Sequence, residues 1–261
     1  MKRVIIAGDF HCGHVVGLTP PRFQERPTGI GDSWDKKLVA SAMLWDWFAG
    51  RVEAWRPFDI AIINGDLIDG KGDRSGGTEH ITTSLQRQCL IANEVIKFIG
   101  AERVAITYGT PYHVNGKDGE DWESLIWPDA ERIEGHGFYN INGVTFDVKH
   151  KVGSSSIPHG RFTPIAKEKL WNEIWSLDEG QPRADVVIRS HTHYLAYCGD
   201  SRGLAIIAPA LQGMGSKFGS RQCSGTVDFG FLVFEIEDNG EYRWFPEVLE
   251  CRAQAAQVVN L

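Results

Sequence analysis

The fold is indicated by a pattern that begins with VIIAGDFH at residues 4–11, where four apolar residues lead to an acid and a histidine. A short run rich in β-branched residues predicts a buried strand. The pattern returns at residues 60–69, where IAIINGDLID places Asp66 and Asp69 after another apolar run. Because ligands in open α/β sheets bind outside the carboxyl ends of strands, residues that follow successive strands are expected to meet.

Three further strand-like runs end in the same kind of residue. They lie at residues 104–106, before GTPYH at 109–113; at 144–148, before His150; and at 186–188, before SHTH at 190–193. A last run occupies residues 204–207, and helical spacing is found at 37–55, 84–99 and 165–177. An Asn-Gly pair at 239–240, between apolar runs, predicts a hairpin. We therefore expect an α/β protein whose sheets are mixed, with antiparallel strands near the C-terminal end.

Composition sets the broad class of the protein. The 261 residues are 42% hydrophobic and 23% charged, which is typical of a globular protein, and we expect a single domain over residues 1–261. No apolar run approaches the roughly 20 residues of a membrane span, and the run after Met1 is too short for a signal peptide, so a cytoplasmic protein without membrane contact is expected. Five cysteines without CxxC spacing predict free thiols. The net charge of −7 does not favour an anionic partner, although bound cations reverse the local field.

The spacing of the acids and histidines suits metal binding. Residues two apart on an extended chain project to the same side, so Asp9 and His11 can reach one ion. The carboxylate of Asp66 has two oxygens and can bridge two cations. Imidazole and carboxylate ligands without thiolate favour manganese, iron or zinc over calcium.

The ordered set DxH, GDxxD, a glycine turn leading to a histidine, an isolated histidine and HxH resembles the calcineurin-like metallophosphoesterases. The resemblance runs from Asp9 to His193, about three quarters of the chain. It implies a four-layer α/β/β/α sandwich with two packed mixed sheets. It also implies hydrolysis of a phosphomonoester or phosphodiester by a hydroxide that bridges two divalent ions, with manganese expected first and iron, zinc or magnesium as alternatives.

The resemblance also implies roles for individual residues. One metal would be held by Asp9, His11, Asp66 and His193, and the other by Asp66, His150 and His191. His113 would be the general acid that protonates the departing alkoxide. Two positions depart from the family pattern: Thr110 stands where the family has an asparagine ligand, three residues before His113, and Ser190 stands where it has glycine. Thr110 is therefore a candidate weak ligand of the second metal.

Other polar residues near these motifs have several interpretations. Asp69 is expected to orient a ligand or cap a loop, and His14 either orients a ligand or lies at the surface. His159 is the alternative to His150 as a ligand, whereas His80 and His136 are expected to be solvated. Arg74, in the glycine-rich loop at 70–77, is a candidate phosphate-binding residue. Burial is expected for Cys12 and, from their helical spacing, for Trp45, Trp47, Trp55, Trp171 and Trp175.

The substrate is open at this stage. The GTPxH turn resembles compact family members encoded by phages and prophages, for which a nucleic acid or nucleotide is a plausible partner. Protein phosphatase activity is the runner-up, although GDLIDG at residues 65–70 falls short of the pattern in those enzymes. A non-catalytic scaffold with the same fold is the alternative of a different class.

Overall fold

The computed structural model describes residues 1–73, 75–114, 120–155, 157–214 and 226–252. A six-stranded sheet has the order β11-β10-β1-β2-β3-β4, and a five-stranded sheet has the order β5-β6-β7-β9-β8. The strands are β1 Lys2–Ala7, β2 Ile60–Asn64, β3 Arg103–Thr107, β4 Arg132–Glu134, β5 Gly137–Ile141, β6 Val144–Val148, β7 Val186–Arg189, β8 Ala196–Asp200, β9 Gly203–Ile207, β10 Thr226–Ile236 and β11 Tyr242–Arg252. The helices are α1 Ser33–Trp55, α2 Leu85–Ile99, α3 Pro111–Val114, α4 Trp122–Ile126 and α5 Thr163–Leu177, with 3-10 turns at Pro21–Phe23 and Pro158–Phe162.

Both sheets are mixed. In the larger sheet β1 runs parallel to β2, with Val4 opposite Ile60, and antiparallel to β10, with Val4 opposite Phe234. In the smaller sheet β7 runs parallel to β6 and β9, while β5 and β8 are antiparallel edge strands. The parallel strands β1, β2 and β3 therefore end at one edge of the larger sheet, and β6 and β7 end at one edge of the smaller sheet.

Alternating side chains divide the protein into layers, because successive residues of a strand face opposite sides of its sheet. Ile5 of β1 packs with α1 and α2 on the outer face of the larger sheet. Val4 and Ile6 face the other way and pack against Phe146 and Ile188 of the smaller sheet. On the outer face of the smaller sheet, Ile165 of α5 joins residues of β7, β8 and β9. The four-layer α/β/β/α sandwich with two mixed sheets is confirmed.

The six apolar runs form strands, the three stretches with helical spacing form helices, and the C-terminal hairpin is present as β10 and β11. Among the described residues, the sequence pattern missed β4, β5, β8 and the short helices α3 and α4. These elements are short, and most residues of the edge strand β8 are exposed, so none of these elements carries a continuous apolar run.

The tryptophans divide into two groups. Trp45 is buried in the core, and Trp47 and Trp55 are partly buried against it. The expectation of burial is wrong for Trp171 and Trp175, which are 44% and 43% exposed on the outer side of α5. Cys12 is buried as expected, and the four cysteines that lie in the described residues are free. No helix in the described parts of the chain is long and apolar enough to cross a membrane.

Candidate metal centre

The backbone of the residues after β1, β2 and β7 is unusual. Five of the six proposed ligands have positive φ angles, from 44° to 78°, in the left-handed region: Asp9, His11, Asp66, His191 and His193. Such conformations cost about 1 to 3 kcal/mol each in non-glycine residues, and they cluster at functional sites. Backbone hydrogen bonds from Asp9 to Gly65 (2.9 Å) and from His11 to Asp66 (3.0 Å) hold the first two loops together. The loops are thus fixed in the conformation that turns these side chains toward one another.

One group of ligand atoms comes from both sheets. The atoms of Asp9, His11 and His193 all lie within 4.8 Å of one another. His11 Nε2 lies 3.2 Å from His193 Nε2, and Asp9 Oδ1 lies 3.3 Å from His193 Nε2. Two nitrogens bound to one tetrahedral ion at the usual metal distance lie about 3.3 Å apart. This spacing fits a common cation between the two imidazoles.

Asp9 provides a further test of whether the residues fit a metal. Its Oδ1 atom is buried and has no hydrogen-bond partner, whereas Oδ2 accepts a hydrogen bond from the backbone N–H of His191 (3.1 Å). An unpaired buried carboxylate oxygen is costly unless it contacts a cation. Oδ1 of Asp9 also lies 3.9 Å from His150 Nε2, which belongs to a second group of ligand atoms described below. The donor set therefore suits a cation beside Asp9.

The second group is formed by Asp66, His150 and His191. Asp66 Oδ2 lies 3.0 Å from His150 Nε2 and 4.0 Å from His191 Nδ1. The hydroxyl of Thr110 lies among the same atoms, at 3.1 Å from Asp66 Oδ2, 3.4 Å from His150 Nε2 and 3.3 Å from His191 Nδ1. Thr110 therefore occupies a position from which its oxygen could join these ligands.

The free nitrogen of two histidines is determined by their hydrogen bonds. His150 Nδ1 donates to the carbonyl oxygen of Asn64 (2.7 Å), so Nε2 faces the second group. His11 Nδ1 lies 2.8 Å from Asp69 Oδ1, so Nε2 faces His193. A partner of this kind fixes the tautomer and the ring orientation of a metal-binding histidine. Asp69 is accordingly placed to orient His11.

The electrostatics favour positive charge among the ligand atoms of these two groups. Burial opposes charge on His11, but the hydrogen bond to Asp69 and the nearby Asp9 carboxylate outweigh it and raise the pKa of His11 to about 10. Burial likewise opposes charge on His150, but the Asp66 and Asp9 charges raise its pKa to about 9. The pKa values of Asp9 and Asp66 are lowered despite burial, chiefly by the nearby His150. Carboxylates that stay ionised while buried provide the negative field that a divalent cation requires.

His113 lies at the edge of this arrangement, on α3. Its Nδ1 donates to the backbone carbonyl of Asp69 (2.8 Å), and its ring packs edge-on against His11 at 4.7 Å between centroids. With Nδ1 engaged, Nε2 is the nitrogen available to a substrate. Burial, followed by the charge of His11, lowers the pKa of His113. The ligand atoms of His11, Asp69 and His113 also lie within 4.8 Å of one another.

Two buried residues outside the motifs position the loops. Asn64, at the end of β2, donates through its side-chain amide to the Ser190 hydroxyl (2.8 Å), which gives the serine a role that glycine could not fill. The carboxyl group of Glu123, on α4, accepts hydrogen bonds from the backbone N–H groups of Leu67 (3.1 Å) and Gly109 (2.7 Å). Burial, then the charge of Asp66, raises the pKa of Glu123 to about 8. Neither Asn64 nor Glu123 belongs to one of the sequence motifs, so neither could be predicted as a residue of the site.

Several expectations about the remaining residues are corrected. The His80 side chain is only 2% exposed, so it is not solvated, and its Nε2 lies 2.7 Å from Asp69 Oδ2. His14 is also buried, so its surface alternative is wrong; its contacts are with Val16 N (3.2 Å) and the His80 ring. His136 is partly exposed, with Nε2 2.8 Å from Asp147 Oδ1. His159 is exposed and belongs to none of the three ligand groups found among the described residues.

Arg74, the candidate phosphate-binding residue, lies outside the described residues. A described alternative is Arg161, whose guanidinium lies 4.9 Å above the ring centroid of Tyr194, the residue after His193. Its Nε is buried without a hydrogen-bond partner. This cation is therefore held beside the loop that carries two of the proposed ligands.

No protein-family model and no curated protein matches the sequence. Similar solved structures include wild-type Vps29 complexed with Zn²⁺ from Entamoeba histolytica, at 15% identity and a TM-score of 0.46, covering 95% of this chain and 99% of that chain. They also include a novel archaeal phosphodiesterase, at 15% identity and a TM-score of 0.42, covering 94% and 100%. Vps29 from Chaetomium thermophilum is 10% identical over 98% of each chain, with a TM-score of 0.42. These similarities concern the fold.

Proposed function

We propose that the protein is a phosphoesterase that uses two divalent metal ions. The observation that carries this proposal is the meeting of two adjoining groups of ligand atoms, joined through Oδ1 of Asp9, a buried oxygen that has no hydrogen-bond partner. That oxygen lies 3.3 Å from His193 Nε2 in the first group and 3.9 Å from His150 Nε2 in the second. A structural zinc site has one closed ligand set, whereas paired adjoining sites are typical of hydrolases.

In this proposal the first ion is held by Asp9, His11 and His193, and the second by Asp66, His150 and His191, with Thr110 as an added neutral donor. Asp66 remains the proposed ligand that bridges the two ions, as the family pattern implies. Asp9, whose Oδ1 lies near both groups, is proposed to assist Asp66. When bound, such ions polarise phosphoryl oxygens and lower the pKa of water. The mixed nitrogen and oxygen donors favour manganese, with iron, zinc or magnesium as alternatives.

The histidines and acids differ in exposure, and this gives the direction of substrate approach. The side chains of Asp9 and Asp66 are fully buried, whereas that of His191 is 34% exposed and that of His113 is 20% exposed. A phosphoester therefore approaches past His191 and His113. Nε2 of His113 can then donate a proton to the leaving oxygen, while Nδ1 stays bound to the carbonyl of Asp69.

The test is hydrolysis of mono- and bis-nitrophenyl phosphate by the purified chain with added manganese, with bound metal measured by mass spectrometry. We expect nitrophenol release that is lost on chelation and restored by manganese. A preference for the bis compound would indicate a phosphodiester, including a nucleic acid or nucleotide, and a preference for the mono compound a phosphatase.

A protein that binds metal but releases no nitrophenol from either compound would contradict the proposal and support a scaffold. The His159→Ala variant is the matched control, because His159 is exposed and outside the ligand groups. It should bind metal and release nitrophenol at the rate of the unmodified chain.

A further inference from the structure

The outer face of α5 carries an apolar stripe that faces solvent. Leu170, Trp171, Ile174 and Trp175 are exposed, and Leu177 at the end of the helix is 83% exposed. Their spacing of three and four residues places them on one side of the helix. The rings of Trp171 and Trp175 stack at 5.3 Å between centroids. An exposed contiguous apolar surface of this kind marks an interaction site.

The charges beside the stripe indicate which partner fits it. Lys167, near the beginning of α5, and Asp178, just after its end, lie on the same side of the helix as the stripe and are both exposed. The first turn contains no acidic residue and the last turn no basic residue, in a helix that the structure describes in full. Asp178 opposes the helix dipole, which favours bases at the end of a helix, and no acid in the first turn satisfies the dipole at its beginning. An antiparallel helix with the same sequence would bring a lysine to Asp178 and an aspartate to Lys167.

We propose that a second copy of this chain packs on the stripe, with the two α5 helices antiparallel about a twofold axis beside Trp171 and Ile174. Lys167 of each copy then lies opposite Asp178 of the other, and the two helix dipoles oppose each other. A twofold interface repeats each contact, so one complementary pair of charges is used twice.

A groove beside α5 adds a matching shape. It has a volume of about 450 Å³ and is lined by Pro164, Lys167 and Trp171, together with residues 153–155, 157 and 160. In the antiparallel arrangement the end of one helix lies against the beginning of the other. Leu177, the most exposed apolar residue of the stripe, therefore meets this groove in the second copy.

The experiment measures self-association of the full chain by sedimentation equilibrium, for the unmodified protein and the variants Lys167→Glu and Asp178→Lys. We expect a reversible dimer, and each single substitution should raise its dissociation constant more than about tenfold, because like charges then face each other. Asp178→Lys also improves the fit to the helix dipole, so a weakened helix cannot explain the loss in that variant. Lys36→Glu, an exposed change on α1, is the matched control and should leave the dimer intact.

Mixing the two variants provides the decisive measurement. Lys167→Glu and Asp178→Lys together restore two complementary pairs, so an equimolar mixture should form a heterodimer with nearly the affinity of the unmodified protein. Leu177→Ser should weaken the dimer, and mixing it with either charge variant should not restore the affinity. A monomeric unmodified protein, or variants that fail to complement each other, would overturn the proposal. Monomers that instead sediment with anionic vesicles would overturn it in favour of a membrane surface.

Discussion

Nε2 of His11 lies 3.2 Å from Nε2 of His193, although 182 positions separate the two residues along the chain. Two imidazole nitrogens that face each other at this distance repel unless a proton or a metal ion lies between them. We therefore expect His11→Ala to lose one of two bound metal ions and to reduce activity more than about 100-fold. Metal analysis of dialysed protein checks the first result and nitrophenol release the second. Two ions retained in the variant would exclude His11 from the centre.

Asp69 acts through His11, because its Oδ1 lies 2.8 Å from His11 Nδ1 and holds Nε2 toward His193. The Asp69→Asn variant should bind the first metal about 10- to 100-fold more weakly, as is usual when the residue that orients a ligand is changed. Excess metal should restore most of the maximal rate, since every ligand remains. Isothermal titration with manganese measures the affinity. The exposed variant Asp129→Asn should titrate like the unmodified chain.

Thr110 can be tested by separating its hydroxyl from its shape. Thr110→Val removes the oxygen that lies 3.3 Å from His191 Nδ1 and 3.1 Å from Asp66 Oδ2. If this oxygen is a ligand, Thr110→Val should lower the affinity for the second metal and leave the affinity for the first metal unchanged. Thr110→Ser should keep both affinities. An unchanged second affinity in the valine variant would exclude the hydroxyl as a ligand, and a loss confined to the serine variant would show that the side-chain methyl group matters.

The role of His113 predicts a dependence on the leaving group. A general acid contributes about 10² to 10⁴ in rate when an alkoxide departs, and little when the leaving group is already a weak base. His113→Gln should therefore reduce hydrolysis of an alkyl phosphoester much more than that of a nitrophenyl ester. The two rates are compared at saturating manganese. Equal reduction of both would mean that His113 positions the substrate and does not donate the proton.

Arg189 and Asp147 form a buried ion pair at 2.7 Å on the smaller sheet. Burial opposes ionisation of Asp147, but hydrogen bonds to His136 and Arg189 outweigh it, so the pKa of Asp147 is lowered. A group whose pKa is lower in the folded state stabilises the protein at pH values above its unfolded-state pKa. This stabilisation is lost as the pH falls through the folded-state pKa. Asp147→Asn should therefore cost on the order of 3 kcal/mol at neutral pH, and less below about pH 4.

Urea unfolding with a chelator present, at neutral and acidic pH, measures this difference. The exposed variant Asp46→Asn is the control and should follow the unmodified protein at both pH values. A cost for Asp147→Asn that does not change with pH would show that the pair acts through packing and not through charge.

The fold was predictable where single elements carry their own pattern. The four apolar residues before Gly8 suffice to predict β1, and the Asn-Gly pair predicts the hairpin of β10 and β11. The edge strand β8 was not predictable, because an exposed edge needs no apolar run. Its existence depends on pairing with β9, which is a property of the folded chain.

The candidate site shows the same division. Asp9, Asp66 and His150 follow strands, so their meeting could be predicted, while their roles as ligands stay predictions. His80 could not be placed from the sequence, because its burial results from contact with Asp69 across a loop. Glu123 was missed for a similar reason, since its hydrogen bonds join two loops from a helix that has no marked pattern.

The position of β1 between β2 and β10 has a consequence for synthesis on the ribosome. The strand β1, which leads to Asp9, is made long before its neighbour β10, as the contact between Arg3 and Glu235 across 232 positions shows. A nascent chain that ends before Thr226 exposes one edge of β1, where unpaired backbone groups invite wrong pairing. Folding of the larger sheet therefore waits for the last strands to emerge, and an arrest-peptide force profile should register one late transition.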